Sequence, residues 1–291
     1  MDLNFEELSA GNGARIGVVS LNAEKTLNAL TLLMLEALAG KFDAWAQDDR
    51  VVCVVLRGEG EKAFCAGGDV RSLVQACRAH PGEVPDLAAR FFAAEYRFDY
   101  RLHTYPKPVI CWGHGYVLGG GMGLLQASSI RIVTPSSRLA MPEITIGLYP
   151  DVGASTFLSR MPGKLGLFLG LTGAQINARD ALDVDLADRC LRDDQYEDLL
   201  DGLLQLNWQE QTAMQLNSLL KALEHDARDT VPAAQWLPRR AAIDAQLDVS
   251  DAPAAWHALV QWQQHDDPLL AKAAGNLAKG CPLTAHLIWA Q

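Results

Sequence analysis

Residues 109–157 read VICWGHGYVLGGGMGLLQASSIRIVTPSSRLAMPEITIGLYPDVGASTF. Val109–Trp112 is an apolar run of strand length. The glycine turn Gly119-Gly120-Gly121 follows and opens an apolar helix at Met122, after which Ile130–Val133 returns as a second short strand. Strand, turn, helix, strand is the pattern of an α/β core. Beyond it, Glu143 and Asp151 stand in a stretch otherwise nearly free of charge. Backbone donors and isolated carboxylates in apolar surroundings suit acyl transfer.

Working outward toward the N-terminus, Arg15–Leu21 reads as a strand after the turn Gly11-Asn12-Gly13. Thr31 reads as the N-cap of an amphipathic helix carrying Leu33, Leu35, Leu38, Phe42 and Trp45. Val51–Leu56 is a continuous apolar run, as expected of a strand covered on both faces. The order implies a right-handed βαβ unit with a parallel pair. A second glycine turn, Ala66-Gly67-Gly68, precedes a helix over Val70–Arg78, with Asp69 as its N-cap. Ala88–Thr104 forms another helix, with Phe91, Phe92 and Tyr96 as its core stripe. Glu95 lies among these aromatics, and the helical period leaves open whether it is solvated or reaches into a pocket.

Toward the C-terminus the pattern turns helical: Gly163–Leu171, Asn177–Leu182, Glu197–Leu206, Ala213–Glu224, Ala233–Ala245, Ala254–Gln264 and Leu269–Ala278. No strand is expected from Asp193 onward. The organisation expected is an α/β unit over residues 1–192 and an all-helical region over 193–291. Pro282 starts a last apolar helix, LTAHLIWAQ, that is short and uncapped. Either it docks on the core or the natural polypeptide continues past it; the second is the expectation.

Composition excludes several classes. The 291 residues are 49% hydrophobic and 21% charged, with a net charge of −10. That acidic balance, with no basic run, argues against nucleic-acid binding. No uncharged apolar span of about 18 residues exists, so no transmembrane helix is expected. The start, MDLNFEELSAGNG, has neither a basic n-region nor an apolar stretch, so no secretory signal is read there. The six cysteines are scattered singly, which suits reduced, mostly core-filling thiols of a cytoplasmic protein.

Among motifs, Gly113-His114-Gly115 lacks the third glycine of a dinucleotide fingerprint, and GxxxxGK[ST], GxSxG and HExxH are absent. His114 reads as structural. Each glycine turn alone reads as tight strand–helix packing, Glu143 alone as a first-turn carboxylate after Pro142, and Asp151 alone as a turn residue after Pro150. Two glycine turns facing each other beside a carboxylate read differently: two N–H groups could hold one carbonyl oxygen as an oxyanion hole.

Phe64-Cys65-Ala66-Gly67-Gly68-Asp69, Gly119-Gly120-Gly121-Met122-Gly123, and Met141-Pro142-Glu143 through Tyr149-Pro150-Asp151-Val152-Gly153 resemble the crotonase (enoyl-CoA hydratase/isomerase) superfamily. Leu27-Asn28-Ala29-Leu30-Thr31 extends the likeness to nearly the whole chain. The resemblance implies a spiral of ββα units, a helical C-terminal region and an acyl-CoA substrate. It also implies roles: Gly68 and Gly120 N–H as the oxyanion hole, Glu143 and Asp151 as catalytic carboxylates, and Glu95 at the substrate's hydroxyl end. Lys25, Leu27 and Ala66 would lie along the CoA moiety. No metal or redox cofactor is implied, CoA entering only as part of the substrate; homo-oligomers occur in the superfamily. Hydratases of this kind use two glutamates, and the first falls at Gly123 here. The likeness is therefore greatest to members that hydrolyse 3-hydroxyisobutyryl-CoA in valine breakdown. An isomerase, a hydratase or a non-catalytic acyl-CoA binder are the alternatives.

Overall fold

Residues 2–291 are described by a computed structural model, whose nine strands are β1 (Leu3–Ser9), β2 (Arg15–Leu21), β3 (Val51–Gly58), β4 (Ala63–Cys65), β5 (Val109–Gly113), β6 (Tyr116–Leu118), β7 (Ile130–Val133), β8 (Arg138–Ala140) and β9 (Arg189–Cys190). They form two sheets, a six-stranded one of order β1-β2-β3-β5-β7-β9 and a three-stranded one of order β4-β6-β8. Only β1 runs antiparallel to its neighbour. The chain climbs as a spiral: each turn lays one strand in the large sheet, one in the small sheet, then a helical segment. Three turns follow one another as β3-β4, β5-β6 and β7-β8, so the α/β spiral implied by the sequence is the observed fold.

The central strands are apolar on both faces because both faces are covered. Val19, Leu21, Val54, Leu56, Val109 and Cys111 point into one cluster, and Ile16, Val18, Cys53, Val55, Ile110 and Trp112 into the other. Helices α1 (Leu32–Gln47), α2 (Val70–Ala79), α3 (Asp86–His103) and α4 (Gly120–Ala127) follow their strands, and α1 and α3 pack in the first cluster. Thr31 caps α1, its hydroxyl accepting from Met34 N at 3.2 Å. One member of the expected stripe is displaced: Leu33 is 76% exposed, and Met34 takes the inward position. The second cluster is closed by α8 (Tyr196–Gln205) and α9 (Thr212–Ala227), which belong to the helical half of the chain but lie on the sheet.

Between them run α5 (Ala154–Ser159), α6 (Leu165–Thr172) and α7 (Ala178–Asp183); α10 (Arg240–Gln246), α11 (Ala252–Val260), α12 (Pro268–Ala278) and α13 (Pro282–Ala290) complete the chain. No strand follows Cys190 among the described residues. The helix expected over Ala233–Ala245 starts late, at a 3-10 turn over Leu237–Arg239. The backbone there is claimed from outside the helix: Asp180 Oδ1, on α7, accepts from Gln235 N and Trp236 N at 2.7 and 2.9 Å. The last helix buries Thr284, Ala285 and Ile288, and Gln291 Nε2 donates to Pro150 O at 2.9 Å. All six cysteines are unpaired, four of them buried.

Candidate active site

The small sheet builds the site. Its three strands are parallel, with Cys65 opposite Val117 and Leu118 opposite Ala140. They therefore end side by side, and the turn leaving each one emerges beside the others. Those turns are Ala66-Gly67-Gly68 after β4, Gly119-Gly120 after β6 and Met141-Pro142-Glu143 after β8. Three segments spread over some eighty positions of sequence occupy equivalent places in three successive spiral turns.

Close approach explains the glycines. Gly67 (φ +98°) and Gly119 (φ +51°) adopt backbone angles that L side chains rarely take. A Cβ on Gly67 would lie 3.5 Å from Gly120 N, and one on Gly119 would lie 2.8 Å from Glu143 Oε1. The two turns thus face each other with Glu143 against the second. The neighbouring amides are engaged: Leu30 N donates to Gly67 O, Asp69 N to Leu30 O and Gly119 N to Ala140 O. Among the described residues, the N–H groups of Gly68 and Gly120 donate to no protein group. Two free N–H groups can hold one oxygen that gains negative charge.

The residues expected along CoA lie on the outer side of the first turn. Ala66 N donates to Leu27 O at 3.0 Å, so Leu27 and Ala66 form one short ladder leading to Gly68. Lys25 is exposed two residues earlier, in a 3-10 turn. Leu27 and Asn28 both have positive φ, and buried Asn28 holds them there, its Nδ2 donating to Glu59 O and Ala63 O and its Oδ1 accepting from Ala23 N. His114 is buried with Nε2 2.8 Å from Gly60 O, a structural placement as read from sequence.

Four carboxyl groups converge on the other side. Glu143 is 5% exposed, and burial pushes it from its ordinary 4.5 up to about 8, the charges of Asp151 and Glu95 adding to the rise. Glu95, from α3, is 3% exposed and likewise pushed up to about 8, by burial and then by Asp151. It faces Gly120 so closely that a Cβ there would collide with Glu95 Oε1, so its side chain is turned inward against the second glycine turn and not to solvent. Asp151 is raised mainly by burial, a rise opposed by the Tyr96 hydroxyl donating to its Oδ2 at 2.6 Å. Asp99, one turn beyond Glu95, has both oxygens shut away without partners and is raised well above the usual range by burial.

One of these carboxyls, Asp99, and the tyrosine that donates to Asp151 carry no functional signal in the sequence. Tyr96 was assigned to the core stripe; Phe91 is buried there, but Tyr96 is 41% exposed and turned to Asp151. Asp99 carried no signal beyond its i+4 spacing from Glu95. At Gly123, a Cβ would meet Val152 Cβ at 2.7 Å and Asp99 Oδ2 at 3.1 Å. A cavity of about 940 Å³ opens on this side, lined by Tyr96, Asp99, Gly123 and Asp151. Among the described residues, no group of His, Cys, Asp and Glu is arranged to hold a metal ion.

Residues 16–291 match the family model described as enoyl-CoA hydratase/isomerase. The chain is 41% identical over 192 residues to the mitochondrial 3-hydroxyisobutyryl-CoA hydrolase of Danio rerio, and 39% over 190 residues to that of Homo sapiens. These alignments take in 66% and 65% of this chain and 49% and 48% of the relatives. The chain thus spans about half the length of the curated relatives it matches. The structure of a carnitinyl-CoA dehydratase from Mycobacterium thermoresistibile superposes with a TM-score of 0.82 at 32% identity, over 98% of this chain and 77% of that one. The chain belongs to the enoyl-CoA hydratase/isomerase family.

Proposed function

We propose that this chain carries the site for hydrolysis of a short 3-hydroxyacyl-CoA thioester, with 3-hydroxyisobutyryl-CoA as the substrate: acyl-CoA and water give the 3-hydroxy acid and free CoA. The observation that carries the reading is the convergence of two free N–H groups, Gly68 and Gly120, with Glu143 at the ends of three adjacent strands, with Asp151 from the following loop close enough for its charge to act on Glu143. The likeness to 3-hydroxyisobutyryl-CoA hydrolases supports the choice of reaction.

In this mechanism the thioester oxygen lies between the Gly68 and Gly120 N–H groups, which stabilise the charge that develops as the carbonyl is attacked. Ionised Glu143 attacks the carbonyl carbon, the C–S bond breaks and thiolate leaves as an acyl anhydride forms, which water then cleaves to the 3-hydroxy acid and free Glu143 while its proton passes to the thiolate; alternatively Glu143 deprotonates a water that attacks directly and passes that proton to the leaving thiolate. Asp151 holds the water or moves its proton. Glu95 receives the substrate hydroxyl, and CoA extends along Ala66, Leu27 and Lys25. No metal or redox group enters a step, and valine breakdown in the cytoplasm is the setting proposed.

The test is release of free thiol from 3-hydroxyisobutyryl-CoA. Thiol release abolished by Glu143→Gln, with acyl-CoA binding kept, supports the reading; no thiol from any short acyl-CoA sinks it. Single turnover in isotope-labelled water separates the two routes, since only the anhydride places label in Glu143. A second reading has its own support. Asp99 Oδ2 stands where a side chain at Gly123 would begin, so α3 offers a carboxyl group on the face where a hydratase carries one. Hydration of crotonyl-CoA, lost in Asp99→Asn, would favour that activity.

A further inference from the structure

The four carboxyl groups share one oddity. None of Glu95, Asp99, Glu143 and Asp151 is within ion-pair distance of an arginine, lysine or histidine among the described residues. Buried carboxyls so crowded cannot all ionise together near neutral pH, so one of them ionises ahead of the others. Both Asp99 oxygens and Glu143 Oε2 have no donor at all. Among the described residues, the single side-chain donor to the set is the Tyr96 hydroxyl, 2.6 Å from Asp151 Oδ2. Burial and the carboxylates around it keep that hydroxyl protonated, so it is a fixed donor. A hydrogen bond given to the charged form favours the charged form.

We propose that Tyr96 is a positioning residue that makes Asp151 the first carboxylate of the site to ionise, ahead of Glu143, and fixes the orientation in which Asp151 meets water. This rests on the hydrolytic reading above. Tyr96 directly follows Glu95 on α3, so one helix sets both the hydroxyl end of the substrate and the carboxylate that holds the water. The groups facing Asp151 are Tyr96, Glu95 and Asp99 from α3, Glu143 from the turn after β8, and Tyr149 from its own loop; Arg160 lies farther along the same cavity wall. None of these except Tyr96 donates to it. The cavity gives water a route to the Asp151 side.

The test is Tyr96→Phe in the full chain, read two ways. With 3-hydroxyisobutyryl-CoA, kcat is expected to fall roughly tenfold with KM nearly unchanged. Asp151→Asn with Tyr96→Phe is expected to be no slower than Asp151→Asn alone, because Tyr96 acts only through Asp151. Independently of turnover, carbon-13 NMR of aspartate-labelled protein follows the Asp151 carboxyl, identified by its loss in Asp151→Asn. Its titration is expected to move to higher pH in Tyr96→Phe. An unmoved titration, or losses that multiply in the double variant, overturns the role of Tyr96. Wild-type protein that releases no thiol overturns the hydrolytic reading instead, while the titration still judges the pairing.

Discussion

The two glycine turns do the same backbone job from different foundations. Gly120 opens α4, in which Gly120 through Leu125 are all buried. Gly68 leads into α2, a helix with no fully buried residue, anchored at its start by Asp69, whose carboxylate accepts from Ser72 N at 3.2 Å. One N–H of the pair is thus held by the core and the other by a cap and a ladder to Leu30. Half of the proposed oxyanion hole rests on a buried helix and the other half on a helix with few buried contacts, where local opening costs less. Such a site can admit a long thioester past the α2 side and still present a fixed donor from the α4 side.

The sharpest way to break this asymmetry is to overfill the α4 side. A Cβ on Gly121 would collide with the Cys65 carbonyl, which cannot move without displacing β4. Gly121→Ala is expected to cost on the order of 3 kcal/mol or to prevent folding, measured by denaturant unfolding. On the α2 side, Gly68→Ala meets only the rim of Phe91, with Cζ at 2.7 Å. That variant is expected to fold, with kcat down about a hundredfold as its N–H is turned from the substrate. Folding of Gly121→Ala with unchanged stability would remove the distinction.

The carboxylates give a prediction of opposite sign for stability and rate. Below about pH 4.5 Glu143 is protonated in folded and unfolded chains alike, so it adds no difference. As pH rises to about 8, the unfolded chain ionises first and native stability falls. Glu143→Gln removes that loss: it is expected to be inactive yet more stable than wild type at pH 8 by on the order of 3 kcal/mol, and equal to it near pH 4. Wild-type thiol release should rise with pH through about 8 as Glu143 becomes the carboxylate. A flat profile across that range would mean that Glu143 acts without ionising there.

The smallest effect probes the α2 cap. Asp69→Ala is expected to cost about 1 kcal/mol, read as faster amide hydrogen exchange confined to α2, with kcat lowered only a few-fold. Exchange spreading into α4 would show the two turns to be one mechanical unit.

Much of this was legible in the chain. The paired glycines, Glu143 and Asp151 announced themselves because they interrupt long apolar runs, and the strands at 15–21, 51–56, 109–112 and 130–133 were visible as such runs. The small sheet was not, because three-residue strands such as Ala63–Cys65 show no periodicity. Tyr96 was misplaced for a related reason: helical spacing groups it with Phe91 and Phe92, and only the loop folded across α3 turns it toward Asp151.

By itself, then, the sequence determined the α/β core, the helical second half and the residue types of the candidate site, since these follow from local pattern and from where glycine and carboxylate are tolerated. Only the tertiary structure decided which groups meet. Parallel pairing of β4, β6 and β8 brings three distant turns to one point, and packing of α3 against them sets which carboxyls are buried and which one receives a donor. Burial and proximity govern ionisation, and both are properties of the folded chain, not of any stretch within it.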